Sequence, residues 1–256
     1  MYQFIKSCLL KIIPKKFILK NDIFFRKIYA VAFTGFKYQC PVCNKKLRKF
    51  IPVFESELLC PNCGSLARNR RLYCLLREEF LRDNIKILDF SPSRCLYRKL
   101  KNVKFIAYTA NDFCGEFIAD KNMDITDLDE FDHSFDLIIC YHILEHIKDD
   151  VKAMSELFRV LKPDGTAIIQ TPFKEGDIYE DASIISDENR RIHFGQEDHL
   201  RIYSVDGLCR RLESTGFTTK VINYKDNPEN YYGFSGNETI IFCKPLNPLK
   251  GTSTNR

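Results

Sequence analysis

The sequence lacks any run of about 18 uncharged residues, close to the minimum length of a helix that crosses a membrane. We also expect no cleavable leader, because charged residues interrupt the apolar stretch ahead of the small-residue segment Ala30-Val31-Ala32. Those charged residues are Lys20, Asp22, Arg26 and Lys27. We therefore expect neither a spanning helix nor a signal peptide.

Its cysteines lack the arrangement of a secreted disulfide framework. Their number is odd, eleven, and several lie singly inside apolar stretches, namely Cys74, Cys140, Cys209 and Cys243. Buried single thiols are common in reduced proteins. We therefore expect a cytoplasmic protein.

Net positive charge is confined to the front third of the chain. The net charge is +7 over residues 1–37, +4 over residues 38–83 and −6 over residues 84–256, within a total of +5. A basic front favours a polyanion or an anionic membrane as neighbour. The acidic remainder argues against nucleic acid lying across the whole molecule.

Residues 1–37 alternate lysines with aromatic and aliphatic residues, with breaks at Pro14 and Asn21-Asp22. This pattern predicts two short amphipathic helices, the second capped near Asn21 or Asp22. The helices either make peripheral contact with an anionic membrane or pack on the protein's own core, with the lysine ends in solvent.

Two Cys-x-x-Cys turns follow, Cys40-Pro-Val-Cys43 and Cys60-Pro-Asn-Cys63, with sixteen residues between them. Four thiolates at this spacing suit tetrahedral Zn²⁺, with Zn–S bonds of about 2.3 Å. Because sulfur would fill all four positions, the zinc would be structural. Four unligated thiols or a redox pair are the alternatives. The motif does not indicate a partner.

Ser65 is predicted to cap a helix over about residues 66–82. Its leucines and Phe80 form an apolar side, and its other face carries Arg68, Arg70 and Arg71. We interpret these arginines as solvated charges, with contact to an anionic ligand as the alternative.

From Ile85 onward, strand and helix patterns alternate, which predicts an α/β doubly wound sheet with helices on both faces. Helices are predicted near residues 94–101, 149–161 and 205–215. Seven strands are predicted, at residues 85–90, 103–108, 116–119, 135–140, 165–171, 218–223 and 239–243.

Polar residues follow several of these strands at their carboxyl ends, where open α/β sheets bind ligands. The buried strand 135–140 leads into Tyr141 and His142, which are expected to line the site, and into Glu145 and His146. The second strand leads into Asp112, where an acidic side chain accepts ribose hydroxyls. Asp124 can accept an adenine amine, with Ile125 against the ring.

The first strand ends in Phe90-Ser91-Pro92-Ser93, without the glycines that usually cradle a nucleotide. Taken together, the chain nevertheless resembles the class I S-adenosylmethionine-dependent methyltransferases over about residues 85–245. The matching residues are Leu88-Asp89, Asp112, Asp124-Ile125, Ser134-Phe135-Asp136, Leu144-Glu145-His146 and Leu161-Lys162-Pro163-Asp164-Gly165. A bacterial subgroup with a four-cysteine zinc ribbon is more similar still. It has a glycine-free first turn and a segment like Phe194–His199 with Arg201 and Tyr203.

The resemblance implies a Rossmann-like, seven-stranded methyltransferase sheet preceded by a small zinc ribbon. It implies S-adenosylmethionine as cofactor, with Asp89, Phe90, Ser91 and Pro92 beside its methionine part. The domains expected are basic helices over residues 1–37, the ribbon over 38–66, the methyltransferase domain over 67–248 and a flexible tail over 249–256. Residues 172–203 form an insert longer than an ordinary loop, which is typical of a lid.

Removal of an acceptor's proton requires a base within reach. The candidates are His142, Glu145 and His146 after the fourth predicted strand, and Asp198 and His199 in the insert. His146 is equally interpreted as a packing residue at a helix start.

The resemblance, and no single residue, implies methyl transfer to a small molecule or glycan, with O-methylation as the expected reaction. The alternatives are a zinc-ribbon RNA methyltransferase, favoured by the basic front, and a non-catalytic binding module with a degenerate cofactor loop. Against RNA, Cys140-Tyr141-His142 stands where base methylation would call for an Asn-Pro-Pro-Tyr type of motif.

Overall fold

The computed structural model describes residues 21–54, 57–115 and 117–246. The chain divides into two compact units. The N-terminal unit takes in the chain up to Glu79 together with Asp226–Gly236, and the sheet unit takes in Phe80–Lys225 and the chain from Asn237. The first helix predicted within residues 1–37 and the predicted tail lie outside the described residues.

The N-terminal unit consists of short elements. They are helix α1 (Asp22–Val31), strands β1 (Thr34–Gln39), β2 (Lys46–Leu47), β3 (Ile51–Phe54) and β4 (Glu57–Leu59), and helix α2 (Ala67–Leu75), which continues into a π-helical turn (Leu76–Phe80). Strand β1 pairs with β2 and β3 with β4, both antiparallel. Two-stranded ladders of this length are marginally stable alone, so the unit requires further cross-links.

The start of α2 differs from the prediction. Leu66 occupies the N-cap, and its amide donates to Asn69 Oδ1 at 3.0 Å. The hydroxyl of Ser65 instead lies 3.3 Å from Cys40 Sγ and 3.2 Å from Cys63 Sγ. The predicted Ser65 cap is therefore wrong, because this hydroxyl faces the sulfur atoms.

The sheet unit contains a six-stranded, mostly parallel sheet flanked by helices. Its strands have the order β11-β12-β8-β7-β5-β6. The strands of the unit are β5 (Lys86–Phe90), β6 (Ala107–Asn111), β7 (Phe135–Tyr141), β8 (Leu161–Gln170), β9 (Tyr179–Glu180), β10 (Arg201–Ile202), β11 (Phe217–Tyr224) and β12 (Glu238–Pro245). Strands β6, β5, β7 and β8 run parallel, whereas β12 and β11 are antiparallel to their neighbours. The predicted α/β class is confirmed.

The helices of this unit are α3 (Arg94–Lys101), α4 (Asp150–Val160), α5 (Asp187–Phe194) and α6 (Val205–Ser214). Helix α3 connects β5 to β6, and α4 connects β7 to β8 in the opposite direction along the sheet. Since such crossovers are almost always right-handed, α3 and α4 lie on opposite faces. Helix α4 begins as predicted, with Asp149 Oδ1 accepting from the amide of Lys152 at 3.1 Å.

The strand predicted at residues 116–119 does not form over its described residues, so the sheet has six strands instead of seven. Instead, residues of the loop after β6 form hydrogen bonds with the backbone groups at the outer edge of β6. The amides of Asp120 and Lys121 donate to the carbonyl of Ala110 at 2.8 and 3.0 Å, and the amide of Ala110 donates to Asp120 Oδ2 at 3.0 Å. The second strand also begins later than predicted, because the amide of Val103 closes the end of α3 on the carbonyl of Leu100.

Strand β7 is the centre of the core. Leu137, Ile138, Ile139 and Cys140 are all 0% exposed, as expected of a strand covered on both faces. Fully burying an aliphatic side chain contributes about 1.5–3 kcal/mol, so this strand anchors the sheet. Within the described ranges, no helix is both long enough and apolar enough to cross a membrane.

Strand β8 begins at Leu161, directly after α4, instead of at the predicted Gly165. Leu161 pairs with Phe135 and Thr166 pairs with Leu137, so four residues of β8 oppose one of β7. The Lys162–Gly165 segment is therefore a bulge within a strand.

Residues 172–203 form a structured insert that contains β9, α5 and β10, with β9 and β10 paired antiparallel. Arg201 fastens it to the turn after β7. Its guanidinium donates to the carbonyls of Leu144 at 3.2 Å, of Lys148 at 3.1 Å and of Ile147. Its Nε donates to Glu180 Oε2 at 2.9 Å. The insert is thus held at the carboxyl end of β7.

Candidate functional site

A cavity of about 330 Å³ lies at the carboxyl ends of β5, β6 and β7. The chain leaves β5 towards β6 on one side and later returns to β7 on the other. The cavity therefore lies at the switch point of strand order, where open α/β sheets bind ligands.

Ser91 forms the turn after β5. Its φ of 47° lies in the left-handed region that favours glycine. Its amide donates to the carbonyl of Asn111 at 2.7 Å, and its hydroxyl donates to Asp112 Oδ1 at 2.7 Å. The turn therefore keeps a backbone conformation typical of glycine, and side-chain and backbone bonds join it to the end of β6.

Asp112 is 4% exposed, and its second carboxylate oxygen accepts from the amide of Phe117 at 3.2 Å. Next to it, Asn111 fixes the segment that carries Asp124 and Ile125. The Asn111 side chain donates to the carbonyl of Met123 at 2.9 Å and accepts from its amide at 2.8 Å. Two hydrogen bonds therefore hold this wall of the cavity.

His142 begins the opposite wall, after β7, with a φ of 55° and its amide donating to the carbonyl of Gln170 at 2.8 Å. Its Nδ1 lies 3.3 Å from Glu145 Oε1. Glu145 is 1% exposed. Burial raises the pKa of this carboxyl, but His142, with a smaller contribution from His146, outweighs burial and leaves the pKa below its ordinary value. The lowered pKa favours the ionised form of the Glu145 carboxyl.

The insert brings Asp198 and His199 to this wall. His146 Nδ1 lies 3.0 Å from Asp198 Oδ2, and the His146 and His199 rings meet edge to face at 4.7 Å. His199 Nδ1 bonds the carbonyl of Phe194 at 3.0 Å. All five residues predicted as catalytic candidates thus converge, although the insert and the β7 turn are about fifty residues apart.

The predicted site residues divide into those that line the cavity and those that do not. Glu145 and His199 lie outside the lining, as do Asp89, Pro92 and Tyr141. Eight predicted residues line it: Phe90, Ser91, Asp112, Asp124, Ile125, His142, His146 and Asp198. Most of the predicted residues therefore share one cavity, and their functional roles stay predictions.

Asp89 lies in the core of the sheet and is 2% exposed. Its carboxyl accepts from the hydroxyl of Tyr108 at 2.8 Å. Burial raises the pKa of Asp89 to about 7, against the smaller lowering by that hydrogen bond. Asp89 accordingly faces Tyr108, a neighbour on β6.

Several lining residues were missed as site residues by sequence reasoning: Asn111, Phe113, Cys114, Phe117, Met123, Ile143 and Ile147. Phe113 and Phe117 are 59% and 43% exposed. The available sequence signal was the pair of aromatic residues that follow the acid at the end of β6. Large apolar side chains at a cavity rim are typical of ligand sites.

A second candidate site, the four-cysteine cluster, lies in the N-terminal unit. The sulfur atoms of Cys40 and Cys63 are 3.7 Å apart and those of Cys43 and Cys60 are 3.8 Å apart. Sulfur atoms around a tetrahedral zinc ion with bonds of about 2.3 Å lie about 3.8 Å apart. Hydrogen bonding to the thiol of Cys43 lowers the pKa of Cys40. The cluster therefore has the dimensions of a zinc site.

The backbone repeats the same geometry at both turns of this cluster. The amide of Asn44 donates to the carbonyl of Cys40 at 2.8 Å, and the amide of Gly64 donates to the carbonyl of Cys60 at 2.9 Å. Asn44 and Gly64 both have positive φ, 58° and 79°. Two equivalent turns thus present the four sulfur atoms.

Arg70 lies near this cluster and is 0% exposed. Its guanidinium donates to the carbonyls of Ser65 at 2.7 Å, Leu58 at 2.9 Å, Tyr232 at 2.7 Å and Gly233. Burial lowers its pKa, and the cysteine sulfurs act in the opposite direction. The predicted solvated face of α2 is therefore wrong at Arg70, and also at Arg71, which is 8% exposed and donates to the carbonyl of Ser235 at 2.6 Å.

Residues 66–220 match a protein family described as a methyltransferase domain. A comparison with curated proteins found no match. Among solved structures, the YcgJ protein from Bacillus subtilis matches with a TM-score of 0.48 and 15% identity, over 68% of this chain and 97% of that chain. An Archaeoglobus fulgidus SAM-dependent methyltransferase matches with a TM-score of 0.48 and 17% identity, over 68% and 93%. Phosphoethanolamine N-methyltransferase 2 from Haemonchus contortus, solved with S-adenosyl-L-methionine, matches with a TM-score of 0.49 and 17% identity, over 69% and 52%.

Proposed function

Because this chain belongs to the methyltransferase domain family, we propose that it is an S-adenosylmethionine-dependent O-methyltransferase that acts on a small molecule or glycan. The observation that carries the proposal is the cavity at the switch point, with the Asp112 carboxylate at the end of β6. When bound, S-adenosylmethionine supplies a methyl group on a sulfonium, whose sulfur leaves as a neutral thioether while the acceptor oxygen gains the methyl group and loses its proton.

The residues of the cavity fit this cofactor. Each oxygen of Asp112 accepts one hydrogen bond, from Ser91 or from the amide of Phe117. A carboxylate has about four acceptor positions, so one remains on each oxygen for a ribose hydroxyl. Asp124 Oδ1 accepts two bonds from Thr126, at 2.8 and 2.9 Å. Its Oδ2 receives none from the described residues and is suited to the adenine amine.

The opposite wall supplies the acceptor side. His142 lines the cavity and pairs with the buried carboxylate of Glu145 at 3.3 Å. A carboxylate partner orients an imidazole and strengthens it as a base. His142 is therefore the proposed general base for an acceptor hydroxyl, with Glu145 as its positioning residue.

Calorimetric titration of S-adenosylmethionine into the full chain tests the cofactor assignment. Asp112→Asn removes charge-assisted bonds of about 1.5–3 kcal/mol each, so we expect affinity to fall about 100-fold. The matched control is Asp127→Asn, because Asp127 is an exposed acid that follows Asp124 in the chain and does not line the cavity. No heat with the wild type would favour the non-catalytic binding module, and equal affinity of the Asp112 variant would refute the role of Asp112.

We further propose that Cys40, Cys43, Cys60 and Cys63 hold one structural Zn²⁺. Their sulfur spacing supports this, and a metal would supply the cross-link that the short ladders of the N-terminal unit require. Native mass spectrometry is expected to find one zinc that is lost in Cys60→Ser and kept in Cys74→Ser. A folded wild-type chain without zinc would contradict the proposal.

For the acceptor, burial of Arg70 and Arg71 removes two of the three arginines that α2 would offer to RNA. This supports a small molecule or glycan over RNA. Salt-dependent RNA binding by the full chain would reverse the preference, since phosphate contacts weaken steeply with salt.

We also propose peripheral contact with an anionic membrane through α1. Phe24, Ile28 and Val31 share one helix face and are 62%, 58% and 71% exposed, within a basic segment. Sedimentation with anionic and neutral vesicles tests this proposal. Phe24→Ser is expected to release the protein from anionic vesicles, and equal sedimentation of this variant and the wild type would refute it.

A further inference from the structure

Three side chains at one wall of the cavity converge as metal ligands do. Glu145, His146 and His199 each offer one ligand atom, and these atoms all lie within 4.8 Å of one another. We propose that they bind a divalent transition-metal ion at the wall of the cavity. We also infer that this ion holds the acceptor's oxygen, a second part that rests on the proposed methyltransferase function.

Both imidazoles are held with one nitrogen available. A carbonyl only accepts hydrogen bonds, so the 3.0 Å contact from His199 Nδ1 to the carbonyl of Phe194 places the proton on Nδ1 and leaves the Nε2 lone pair. At 3.0 Å from Asp198 Oδ2, His146 Nδ1 makes the same kind of contact to a carboxylate. Ligating histidines are characteristically fixed by such outer partners.

The Glu145 carboxylate is the second observation that indicates a cation. It is 1% exposed, and neither of its oxygens has a hydrogen-bond partner in the part of the chain that the structure describes. The His142 imidazole faces it, with Nδ1 3.3 Å from Glu145 Oε1. A buried charged carboxylate without hydrogen bonds is costly, and a metal ion beside it would remove that cost.

The ligand types indicate which ion binds. Two imidazole nitrogens and one carboxylate oxygen suit zinc and similar divalent ions, and three protein ligands leave a position open for water or substrate. His146 lines the cavity together with Asp198, so the open position would face the cavity. An oxygen bound to such an ion loses its proton more readily. The acceptor class is therefore a hydroxyl compound that can act as an oxygen ligand.

The ligand atoms must close slightly around the ion. Around a tetrahedral ion with bonds of about 2.1 Å, ligand atoms lie about 3.4 Å apart, against the 4.8 Å limit here. Two of the ligands are neighbours on the turn after β7, and the third comes from the insert. Metal binding would therefore draw the insert towards β7.

The test titrates Co²⁺ into the full chain, with zinc already bound and without cofactor, followed by calorimetry and absorption spectroscopy. We expect one Co²⁺ per chain with weak d–d bands. Binding accompanied by a sulfur-to-cobalt charge-transfer band would instead indicate exchange at the four cysteines and would overturn the proposal. Absence of binding would also overturn it.

The variants locate the site. Asp198→Asn changes an exposed side chain and is expected to lower Co²⁺ affinity about 10–100-fold, as losses of such outer partners do. His199→Ala and Glu145→Gln are expected to abolish binding. His193→Ala is the matched control, because this histidine lies in the same insert, is exposed and bonds Tyr179 at 2.6 Å. Unchanged affinity in Asp198→Asn together with His199→Ala would refute the site.

Separate readouts keep the two proposals distinguishable. Thermal unfolding without metal shows whether a variant folds, and Asp198→Asn is expected to unfold like the wild type. Calorimetry with S-adenosylmethionine measures cofactor binding independently. Co²⁺ binding without cofactor binding would leave the metal site standing and refute the proposed function. Cofactor binding without Co²⁺ binding would refute the metal site and leave the proposed function standing.

Discussion

Replacing Arg201 tests whether this residue attaches the insert to the turn after β7. The Arg201 side chain is 7% exposed and bonds three carbonyls of the turn after β7, as well as Glu180. In Arg201→Ala the carbonyls of Ile147 and Lys148 lose this donor, whereas the carbonyl of Leu144 still accepts from the Tyr203 hydroxyl and the Ile147 amide. Glu180 and Asp150 each keep Arg211 as a charged partner, so the loss is concentrated at the turn.

The magnitude follows from those carbonyls. A hydrogen bond from a charged donor contributes about 1.5–3 kcal/mol, and part of the loss is recovered when water reaches the carbonyls. We expect the free energy of unfolding to fall by about 3 kcal/mol. For a domain of this size, that lowers the melting temperature by roughly 6–12 °C.

Hydrogen exchange provides the local readout. The amide of Leu200 donates to the carbonyl of Glu145 at 2.9 Å, directly across this contact. We expect Arg201→Ala to lose protection at Leu200, while Arg191→Ala, an arginine in the same insert with an exposed ion pair to Glu197, changes neither stability nor exchange. Wild-type protection of Leu200 in Arg201→Ala would show that Arg201 does not hold the insert.

Three further changes test other parts of the account. Ser91→Gly and Ser91→Ala both remove the hydrogen bond to Asp112, but only glycine adopts the positive φ without strain. We therefore expect calorimetry to show tighter binding of S-adenosylmethionine by Ser91→Gly than by Ser91→Ala. The reverse order would refute the role of this turn. The folded pKa of Asp89, about 7, lies above the ordinary carboxyl value. The folded state therefore binds more protons between about pH 4 and 7, and its stability falls as pH rises. Over this pH range the free energy of unfolding, measured by urea titration, should change by on the order of 4 kcal/mol in the wild type. Asp89→Asn should remove this pH dependence. The same pH dependence in variant and wild type would contradict the argument from burial. Arg70→Met removes the charged donor of the carbonyls of Leu58, Tyr232 and Gly233 and should cost about 3–5 kcal/mol, at about 1–3 kcal/mol for each unsatisfied buried group. Thermal unfolding measures this cost, and a loss below about 1 kcal/mol would contradict that role.

Elements with strong local signals could be predicted from the sequence. Helix α3 has the predicted bounds, and α4 lies within its predicted range, with Asp149 at the N-cap. The apolar run of β7 identified the central strand and thereby the edge of the sheet where the cavity lies. These features depend on periodicity and caps within a few residues of one another.

Long-range contacts account for what the sequence did not predict. The burial of Arg70 depends on carbonyls of Tyr232 and Gly233, more than 160 residues away. The glycine-free turn weakened the cofactor prediction, whereas Ser91 adopts positive φ with a bond to Asp112 across two strands. No periodic pattern shows a partner at such a distance.

The close approach of the insert to the turn after β7 also depends on long-range contacts. His146 and His199 were both candidates, but their 4.7 Å ring contact depends on Arg201 and on the path of the insert. The sequence thus supplied the residue types, and the fold supplied their common location.

The most direct measurement is a crystal structure of the full chain with S-adenosylmethionine. We predict that the ribose hydroxyls bond Asp112, that the adenine lies by Asp124 and Ile125, and that the methyl group faces His142. Cofactor bound elsewhere, or crystals that never take it up at saturating concentration, would contradict the assignment of this cavity.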